Sequence, residues 1–265
     1  MERLKVIKIG GNIVDNPLLL NQFAKDFAAL PGKKVLVHGG GVLASRIQQG
    51  LGIEPVMIEG RRVTDEETLR IVTMVYAGWC SKSITALLQS AGCNAIGLSG
   101  ADGNVIRAVR RPPVEIGGQM VDYGFVGDVT AESVNGDFLK KLVGEDIVPV
   151  LCAINHDGQG NLLNTNADTI ASSVSIAMAR EGFGTELVYC FEKKGVLMDR
   201  DDEESVISSI DREGFERLKA EGQVADGMIP KLSNAFRAIG SGVERVVIKH
   251  ASNLLDDIGT VLKGD

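Results

Sequence analysis

Residues 4–12 read Leu-Lys-Val-Ile-Lys-Ile-Gly-Gly-Asn, and residues 34–41 read Lys-Val-Leu-Val-His-Gly-Gly-Gly. Each stretch is a short apolar run that ends in consecutive glycines, the pattern of a buried strand followed by a tight turn. Helical spacing of apolar residues follows both, over Pro17–Leu30 and Val42–Leu51. Repeated strand–turn–helix units predict right-handed βαβ connections, and therefore an α/β fold with a parallel sheet between helices.

The alternation is predicted to continue along the chain. A long helix is expected to begin at a cap on Thr64 or Asp65, with Glu67 at capping-box spacing from Thr64, and to run through Leu88. Glycines and short alternating runs predict hairpins in residues 102–130. A boundary near residue 180 is expected to separate residues 1–180 from residues 181–265, with a sheet that can run through it. The remaining predicted strands are Asn94–Leu98, Ile147–Ile154, Glu186–Phe191 and Val243–Lys249, and the remaining predicted helices are Phe138–Leu142, Ala167–Ala179, 211–221 and 230–240.

Composition excludes several classes of protein. The chain has 265 residues, 44% of them hydrophobic, which argues against a disordered or collagen-like chain. Its net charge of −7 argues against a general nucleic-acid binder. The longest apolar runs reach strand length, and residues 1–5 do not resemble a signal peptide, so we expect a cytoplasmic protein without a membrane partner. The four cysteines lack metal-binding spacing and are expected to be reduced core residues, and no metal site is predicted.

Two glycine-rich turns are candidates for anion binding. Gly10 and Gly11 close the first predicted strand, and Lys8 comes two residues earlier. Gly40 and Gly41 close the second and precede a helix, where exposed amides and the helix dipole favour negative charge. The alternative for the first segment is a tight turn beside a solvated lysine. The alternative for the second segment is a flexible connector. Neither segment matches the P-loop or the dinucleotide-binding fingerprint.

Three further segments carry polar residues at predicted helix starts. Asn164-Thr165-Asn166-Ala167-Asp168 opens one helix, where its side chains either cap the helix or, in the case of Asp168, brace lysines. Lys231 stands near the start of another helix, where its charge opposes the dipole and calls for an anionic partner. Arg61 and Arg62 precede the long helix, and a guanidinium can hold a carboxylate in a bidentate fork.

These residues suit phosphoryl transfer, which depends on positioning and on neutralising charge. They provide two lysines, an aspartate, an arginine and two glycine-rich turns with exposed backbone amides. We find no Ser-His-Asp or Cys-His set and no pair of carboxylates for acid–base work in the sequence.

The chain resembles the amino acid kinase family, in its acylglutamate branch. Six segments appear in the order typical of that family over nearly the whole chain. They are Lys8-Ile-Gly-Gly, His38-Gly-Gly-Gly, Gly60-Arg-Arg-Val-Thr-Asp-Glu-Glu-Thr, Tyr123-Gly-Phe-Val-Gly-Asp-Val, Asn164-Thr-Asn-Ala-Asp and Asp226-Gly-Met-Ile-Pro-Lys. The resemblance implies a three-layer αβα sandwich around a mainly parallel eight-stranded sheet. It also implies an N-terminal lobe that binds an acyl amino acid and a C-terminal lobe that binds ATP.

The resemblance further implies a reaction and a role for each candidate residue. ATP, with Mg²⁺ carried on its phosphates, would phosphorylate the γ-carboxylate of N-acetyl-L-glutamate, in arginine biosynthesis. Lys8 and Lys231 would stabilise the phosphoryl group in transfer, and Asp168 would hold both lysines. Further implied roles are phosphate binding by Gly10 and Gly11, and acceptor binding by Gly40, Gly41, Arg62 and Asn164.

Two departures from the family pattern and three alternatives accompany this prediction. The expected Asp-x-x-Gly turn reads Glu192-Lys193-Lys194-Gly195, and the chain starts directly at its first strand, without the helix that builds arginine-inhibited hexamers. We therefore expect a homodimer without arginine feedback.

N-succinyl-L-glutamate remains an alternative acceptor, because Arg107, Arg110 and Arg111 fall near the expected acyl pocket. Other kinase activities of the fold, and a non-catalytic nucleotide or amino-acid sensor, also remain open.

Overall fold

The computed structural model describes residues 1–199, 201–222 and 228–264. Its strands are β1 Arg3–Ile9, β2 Lys33–His38, β3 Met57–Ile58, β4 Arg61–Arg62, β5 Ala95–Leu98, β6 Val109–Arg110, β7 Val114–Ile116, β8 Gln119–Val121, β9 Gly127–Asp128, β10 Val148–Leu151, β11 Ile154–His156, β12 Leu162–Asn164, β13 Gly184–Phe191, β14 Ser209–Ile210, β15 Arg245–His250 and β16 Thr260–Leu262. Its α-helices are α1 Gly11–Val14, α2 Pro17–Ala29, α3 Gly41–Gly50, α4 Glu66–Thr73, α5 Ser81–Ser90, α6 Gly136–Gly144, α7 Ala167–Arg180, α8 Arg212–Ala220 and α9 Ile229–Gly240, with a π-helical segment Met74–Cys80 joining α4 to α5.

An eight-stranded sheet forms the centre of the molecule, in the order β14-β16-β15-β13-β1-β2-β10-β5. The strands from β15 to β5 pair in parallel, whereas β16 runs antiparallel to β15. The predicted α/β class and mainly parallel eight-stranded sheet are confirmed, and the antiparallel edge is an addition that the sequence did not indicate. The sheet continues across residue 180, because β13 lies between β1 and β15.

Side-chain alternation along the strands divides the core into two layers. On β1, Leu4 and Val6 belong to one buried cluster, whereas Ile7 and Ile9 belong to the other. The first cluster includes the buried face of α7, and the second includes α2 and the buried residues of α5. Both faces of the sheet are therefore covered by helices, as in the predicted three-layer sandwich.

One predicted strand is wrong in its extent. Instead of a continuous strand over Ile147–Ile154, β10 ends at Leu151 and β11 begins at Ile154 in a small antiparallel pair with β12. The chain leaves the sheet because its backbone groups take other partners: the carbonyl oxygen of Ile154 accepts from Gly100 at 2.7 Å, and that of Ala153 accepts from Thr165 at 2.9 Å. An apolar run alone does not show such a change of partners. The hairpins predicted in residues 102–130 are confirmed by the pairs β6–β9 and β7–β8.

The long helix after residue 65 begins at one of the two predicted caps. The Asp65 side chain accepts from the Thr68 amide at 2.8 Å, whereas the Thr64 hydroxyl donates to the carbonyl oxygen of Arg62 at 2.9 Å. The capping box expected between Thr64 and Glu67 is therefore wrong. By length and hydropathy, residues 66–90 resemble a membrane span, a test that core helices of soluble proteins also pass. Here Val75, Ile84 and other side chains of this helix are buried in the two core clusters.

A buried lysine ends helix α2. The ammonium group of Lys34 donates to the carbonyl oxygens of Phe27, Ala28 and Leu30 at 2.7, 3.0 and 2.7 Å. These carbonyls lie in the last turn of α2 and at its C-cap, where a helix leaves carbonyl oxygens short of donors, although Phe27 also accepts from the Leu30 amide at 3.3 Å. The same ammonium lies 5.2 Å from the centre of the Phe27 ring. Burial lowers the pKa of Lys34, and the three acceptors compensate its lost hydration.

We expect Lys34→Met to lower the free energy of unfolding by about 2–3 kcal/mol, because it leaves buried carbonyl oxygens without a donor. Urea denaturation measures this loss. Lys33→Met is the matched control, because the Lys33 partner, Asp146, is exposed, and an exposed ion pair contributes little. Equal stability of the two variants would show that Lys34 does not hold the end of α2.

Candidate functional site

Lys8 lies at the carboxyl end of β1, between β2 and β13 in the sheet. Because side chains alternate along a strand, Lys8 shares the face of Leu4 and Val6, which helix α7 covers. Strand order reverses at β1, because β2 follows it on one side while β13 pairs with it on the other. The crevice at such a point is where open α/β sheets bind ligands.

Asp168 meets Lys8 from the first turn of α7. Its Oδ1 lies 2.7 Å from Lys8 Nζ, and the two side chains are 15% and 9% exposed. The neighbouring Asn166 caps α7, because its side chain accepts from the Thr169 amide at 3.0 Å. The Asn164–Asp168 segment thus combines both readings of the sequence, with a cap at Asn166 and an ion pair at Asp168.

Lys231 approaches the same place from the first turn of α9. Its Nζ lies 4.0 Å from the centre of the Phe191 ring, and Lys8 Nζ lies 5.4 Å from the same ring. Burial lowers the pKa of Lys231, and attraction to Asp168 opposes that shift. Asp168 therefore holds Lys8 in direct contact, whereas Lys231 rests on an aromatic face. The residues Asp226 and Gly227, which precede this helix in the sixth segment, lie outside the described residues.

The two glycine turns lead into helices beside Lys8. Gly10 is the N-cap of α1, and Gly40 is the N-cap of α3. A Cβ atom on Gly40 would lie 2.7 Å from the Tyr76 ring, and one on Gly11 would lie 3.1 Å from Cγ2 of Val42. Close packing explains why these two positions are glycine. Because glycine has no side chain, the backbone amides of the turns are not covered on that side.

Arg62 is buried and held by three hydrogen bonds. It donates to the Gln48 side chain, to the Gly41 carbonyl oxygen at 3.0 Å and to the Ser45 hydroxyl at 2.8 Å. A guanidinium has five N–H donors, so donors remain for a ligand. Gln48 in turn donates to the Thr68 hydroxyl at 3.1 Å, which fixes its own orientation.

Asn164 joins this arrangement from the end of β12. Its side-chain amide donates to the Thr64 hydroxyl at 3.1 Å, and that hydroxyl donates to the carbonyl oxygen of Arg62. The Asn164 backbone amide donates to Phe125 at 2.9 Å. Both Asn164 and Thr64 are buried, so the position of the asparagine relative to Arg62 is fixed.

Two pockets meet at Lys8. The smaller has a volume of about 200 Å³ and contains all four predicted acceptor-binding residues. The larger has a volume of about 440 Å³ and includes apolar side chains beside the two lysines. Apart from Lys8, the smaller pocket is lined by Gly39, Gly40, Gly41, Met57, Gly60, Arg61, Arg62, Tyr76, Val126, Ala153, Asn164, Thr165, Asn166, Ala167 and Asp168. Apart from Lys8, the larger pocket is lined by Gly10, Gly11, Asn12, Ile13, Val42, Cys190, Phe191, Glu192, Lys193, Gly195, Val196, Leu197, Met228 and Lys231.

The turn at Glu192–Gly195, whose sequence departs from the family pattern, borders the larger pocket. Lys193 forms an ion pair with Glu203 at 2.7 Å, and Lys194 forms one with Glu204. Both lysines therefore have carboxylate partners on the segment that follows. Their positive charge is neutralised locally, and only Lys193 lines the pocket.

His38 has a structural position. It is fully buried, its Nδ1 lies 2.8 Å from the Gly39 carbonyl oxygen, and burial lowers its pKa to about 4. The ring is therefore neutral at pH 7. The four cysteines are likewise buried and free of disulfides.

Sequence reasoning missed the residues that support the site. Gln48, Ser45 and Tyr76 surround Arg62 and Gly40 from helices whose apolar pattern gives no sign of this role. Phe191, whose ring lies under the two lysines, was predicted only as the last residue of a strand, without a role in the site. The available signal was its position at the carboxyl end of a strand beside β1.

Comparisons with known proteins show the family of the chain. Residues 3–250 match the model of the amino acid kinase family. An acetylglutamate kinase from Bacteroides fragilis is 54% identical over 262 residues, which cover 99% of this chain and 97% of that protein. An acetylglutamate kinase from Cytophaga hutchinsonii is 52% identical over 256 residues, which cover 97% of this chain and 94% of that protein.

A solved structure from Streptococcus mutans has the same fold. It superposes with a TM-score of 0.77 at 26% identity and covers 100% of both chains. Taken together, the family match over most of the chain, the full-length relatives and the shared fold establish that the chain belongs to the amino acid kinase family.

Proposed function

We propose that the chain transfers the γ-phosphoryl group of ATP to the γ-carboxylate of N-acetyl-L-glutamate, forming an acyl phosphate and ADP. The observation that carries the proposal is that Lys8 lines both pockets, so that a donor in one and an acceptor in the other meet at a single ammonium group. Full-length likeness to acetylglutamate kinases supports the choice of acceptor and a place in arginine biosynthesis. The proposed location is the cytoplasm.

In this proposal the N-terminal lobe, residues 1–180, binds the acceptor, and residues 181–265 bind most of the nucleotide. The α-carboxylate of the acceptor binds the free donors of Arg62, with Asn164 beside it, and the amides of Gly40 and Gly41 hold the reacting end. The amides of Gly10 and Gly11 bind the phosphates. The apolar side chains Val196, Leu197 and Met228 of the larger pocket suit a nucleoside.

The chemistry needs charge neutralisation more than proton transfer. A γ-carboxylate is ionised at neutral pH, so one of its oxygens attacks the γ-phosphorus without a general base, while the bond to the ADP oxygen breaks. Lys8 and Lys231 neutralise charge on the phosphoryl oxygens, and Asp168 keeps Lys8 in place. Within the described residues, no three His, Cys, Asp or Glu side chains cluster to hold a metal. In the proposal, Mg²⁺ is carried by the phosphates of the nucleotide.

An acceptor panel tests the reaction. ADP release is measured with Mg²⁺ and ATP on N-acetyl-L-glutamate, free L-glutamate, L-aspartate and UMP, with hydroxylamine present to trap acyl phosphate. We expect ADP and hydroxamate only with the acylated glutamate. ADP release on another acceptor would assign a different kinase activity, and ATP binding without turnover would favour a sensor.

Substitution of either lysine tests the assigned roles. We expect Lys8→Ala and Lys231→Ala to lower kcat by about 10²–10³-fold, because each removes a charge that acts mainly in the transition state. Steady-state kinetics with saturating ATP and acceptor measures the effect. Lys25→Ala, a change on the outer helix α2, is the control. Near-normal kcat in either site variant would contradict its role.

The proposal includes a homodimer. Trp79 and Met74 of the π-helical segment are 70% and 63% exposed. Strand β5 forms one edge of the sheet, and its Ile96 is 38% exposed. An exposed apolar helix surface and an exposed edge strand each suit contact with a second copy of the chain. Sedimentation equilibrium is expected to give twice the 28.2 kDa chain mass, and Trp79→Glu to shift it toward the monomer. A monomeric wild-type protein would contradict the dimer.

A further inference from the structure

Arg61 is a second arginine in the smaller pocket, and its place is fixed by a tight hairpin. Strands β3 and β4 pair Ile58 with Arg61 and Met57 with Arg62. Glu59 and Gly60 connect them with φ angles of 46° and 72°, the two positive values of a type I′ turn. Both residues of β4 line the smaller pocket, although consecutive strand residues point to opposite faces.

Arg61 differs from the arginines around it in having no partner. Arg62 makes three hydrogen bonds to protein, Arg111 makes an ion pair with Asp128 at 2.7 Å, and Arg110 donates to the Gly124 carbonyl oxygen at 3.0 Å. For Arg61, no hydrogen bond or ion pair is found among the residues that the structure describes. Its side chain is only partly exposed, so it has lost hydration without gaining an acceptor.

Local charge at this end of the pocket is positive. The carboxylate of Asp128 lies near Arg61 but accepts two hydrogen bonds from Arg111, at 2.7 and 3.2 Å. Burial and repulsion from Arg111 lower the pKa of Arg61, and attraction to Asp128 only partly offsets them. With Arg62 committed to the α-carboxylate of the acceptor, Arg61 is the pocket-lining arginine for which the described residues supply no ion-pair partner.

The acceptor geometry indicates what this cation meets, and here the argument rests on the proposed function. The γ-carboxylate must reach Lys8, and the α-carboxylate must reach Arg62. The acyl group is attached to the amino nitrogen of the carbon that carries the α-carboxylate, so it extends from the neighbourhood of Arg62. Arg61 is the adjacent residue on β4.

We propose that Arg61 binds a carboxylate at the far end of the acyl group, so that the pocket selects acylglutamates derived from a dicarboxylic acid, with N-succinyl-L-glutamate the expected member of this class. A guanidinium in a partly dehydrated pocket binds a carboxylate through two parallel hydrogen bonds. An acetyl methyl group cannot accept hydrogen bonds, so N-acetyl-L-glutamate leaves Arg61 unpartnered. The site accepts both compounds, and Arg61 sets the preference between them.

A pair of isosteric acceptors tests this assignment. N-succinyl-L-glutamate and N-succinamoyl-L-glutamate have the same length, but the second ends in a neutral amide. We expect kcat/KM for the succinyl compound to exceed that for the succinamoyl compound by about 10–100-fold, the usual range for a hydrogen-bonded charge. In Arg61→Met the ratio is expected to fall to near one, and in Arg61→Lys to recover partly.

Two further variants separate recognition from damage to the fold. Arg70→Met, on the exposed face of α4, removes an arginine outside the pocket and is expected to leave the ratio unchanged. Arg62→Ala is expected to raise KM for all acylglutamates together, because the α-carboxylate is common to them. A general loss of structure would not change the ratio between two acceptors of the same shape.

The outcomes distinguish this inference from the proposed function. Equal kcat/KM for the two isosteres in the wild-type protein, or an unchanged ratio in Arg61→Met, would overturn the role of Arg61 while the kinase activity stands. Absence of turnover on every acylglutamate would contradict the proposed function itself. Calorimetric binding of the two isosteres then decides on Arg61 alone: tighter binding of the succinyl compound that is lost in Arg61→Met supports the inference, and equal binding overturns it.

Discussion

The ion pair between Lys8 and Asp168 is the contact on which the site depends. Lys8 belongs to the central strand of the sheet, Asp168 to the first turn of the helix that covers that strand, and their polar atoms are 2.7 Å apart in a largely buried position. Breaking such a pair by removing one partner leaves an uncompensated charge. The packing of α7 on β1 therefore also fixes the ammonium group that both pockets share, which couples the fold directly to the chemistry.

The two pockets that meet at this pair differ in the nature of their side chains. On one side, Arg62 is oriented by Gln48, Ser45 and the Gly41 carbonyl oxygen, a rigid polar setting for a carboxylate. On the other side, the pocket wall is largely apolar, and the Phe191 ring supports Lys231. The smaller, polar pocket and the larger, apolar pocket meet at the ammonium group of Lys8. This arrangement suits the proposed transfer of a phosphoryl group to a small acid.

Local signals in the sequence were sufficient for the βαβ units and for the glycine turns, because strand, turn and helix patterns there agree with one another. They were insufficient where tertiary partners decide. The run 147–154 is apolar throughout, yet it leaves the sheet at Cys152 because Gly100 and Thr165 take its backbone groups. Thr64 stands at the position of a helix cap, but its hydroxyl donates to the Arg62 carbonyl oxygen and accepts from the Asn164 side chain instead. Among the residues that the structure describes, Arg62 has three hydrogen-bond partners and Arg61 has none, a contrast that their adjacent positions in the sequence do not reveal.

A crystal structure with a non-hydrolysable ATP analogue and N-acetyl-L-glutamate bound together tests the central claim most directly. The account predicts the nucleotide in the larger pocket, the acyl amino acid in the smaller one, and Lys8 Nζ within hydrogen-bond distance of the γ-phosphate. The α-carboxylate would lie on Arg62. Both ligands in one pocket, or a γ-phosphate out of reach of Lys8, would contradict the account.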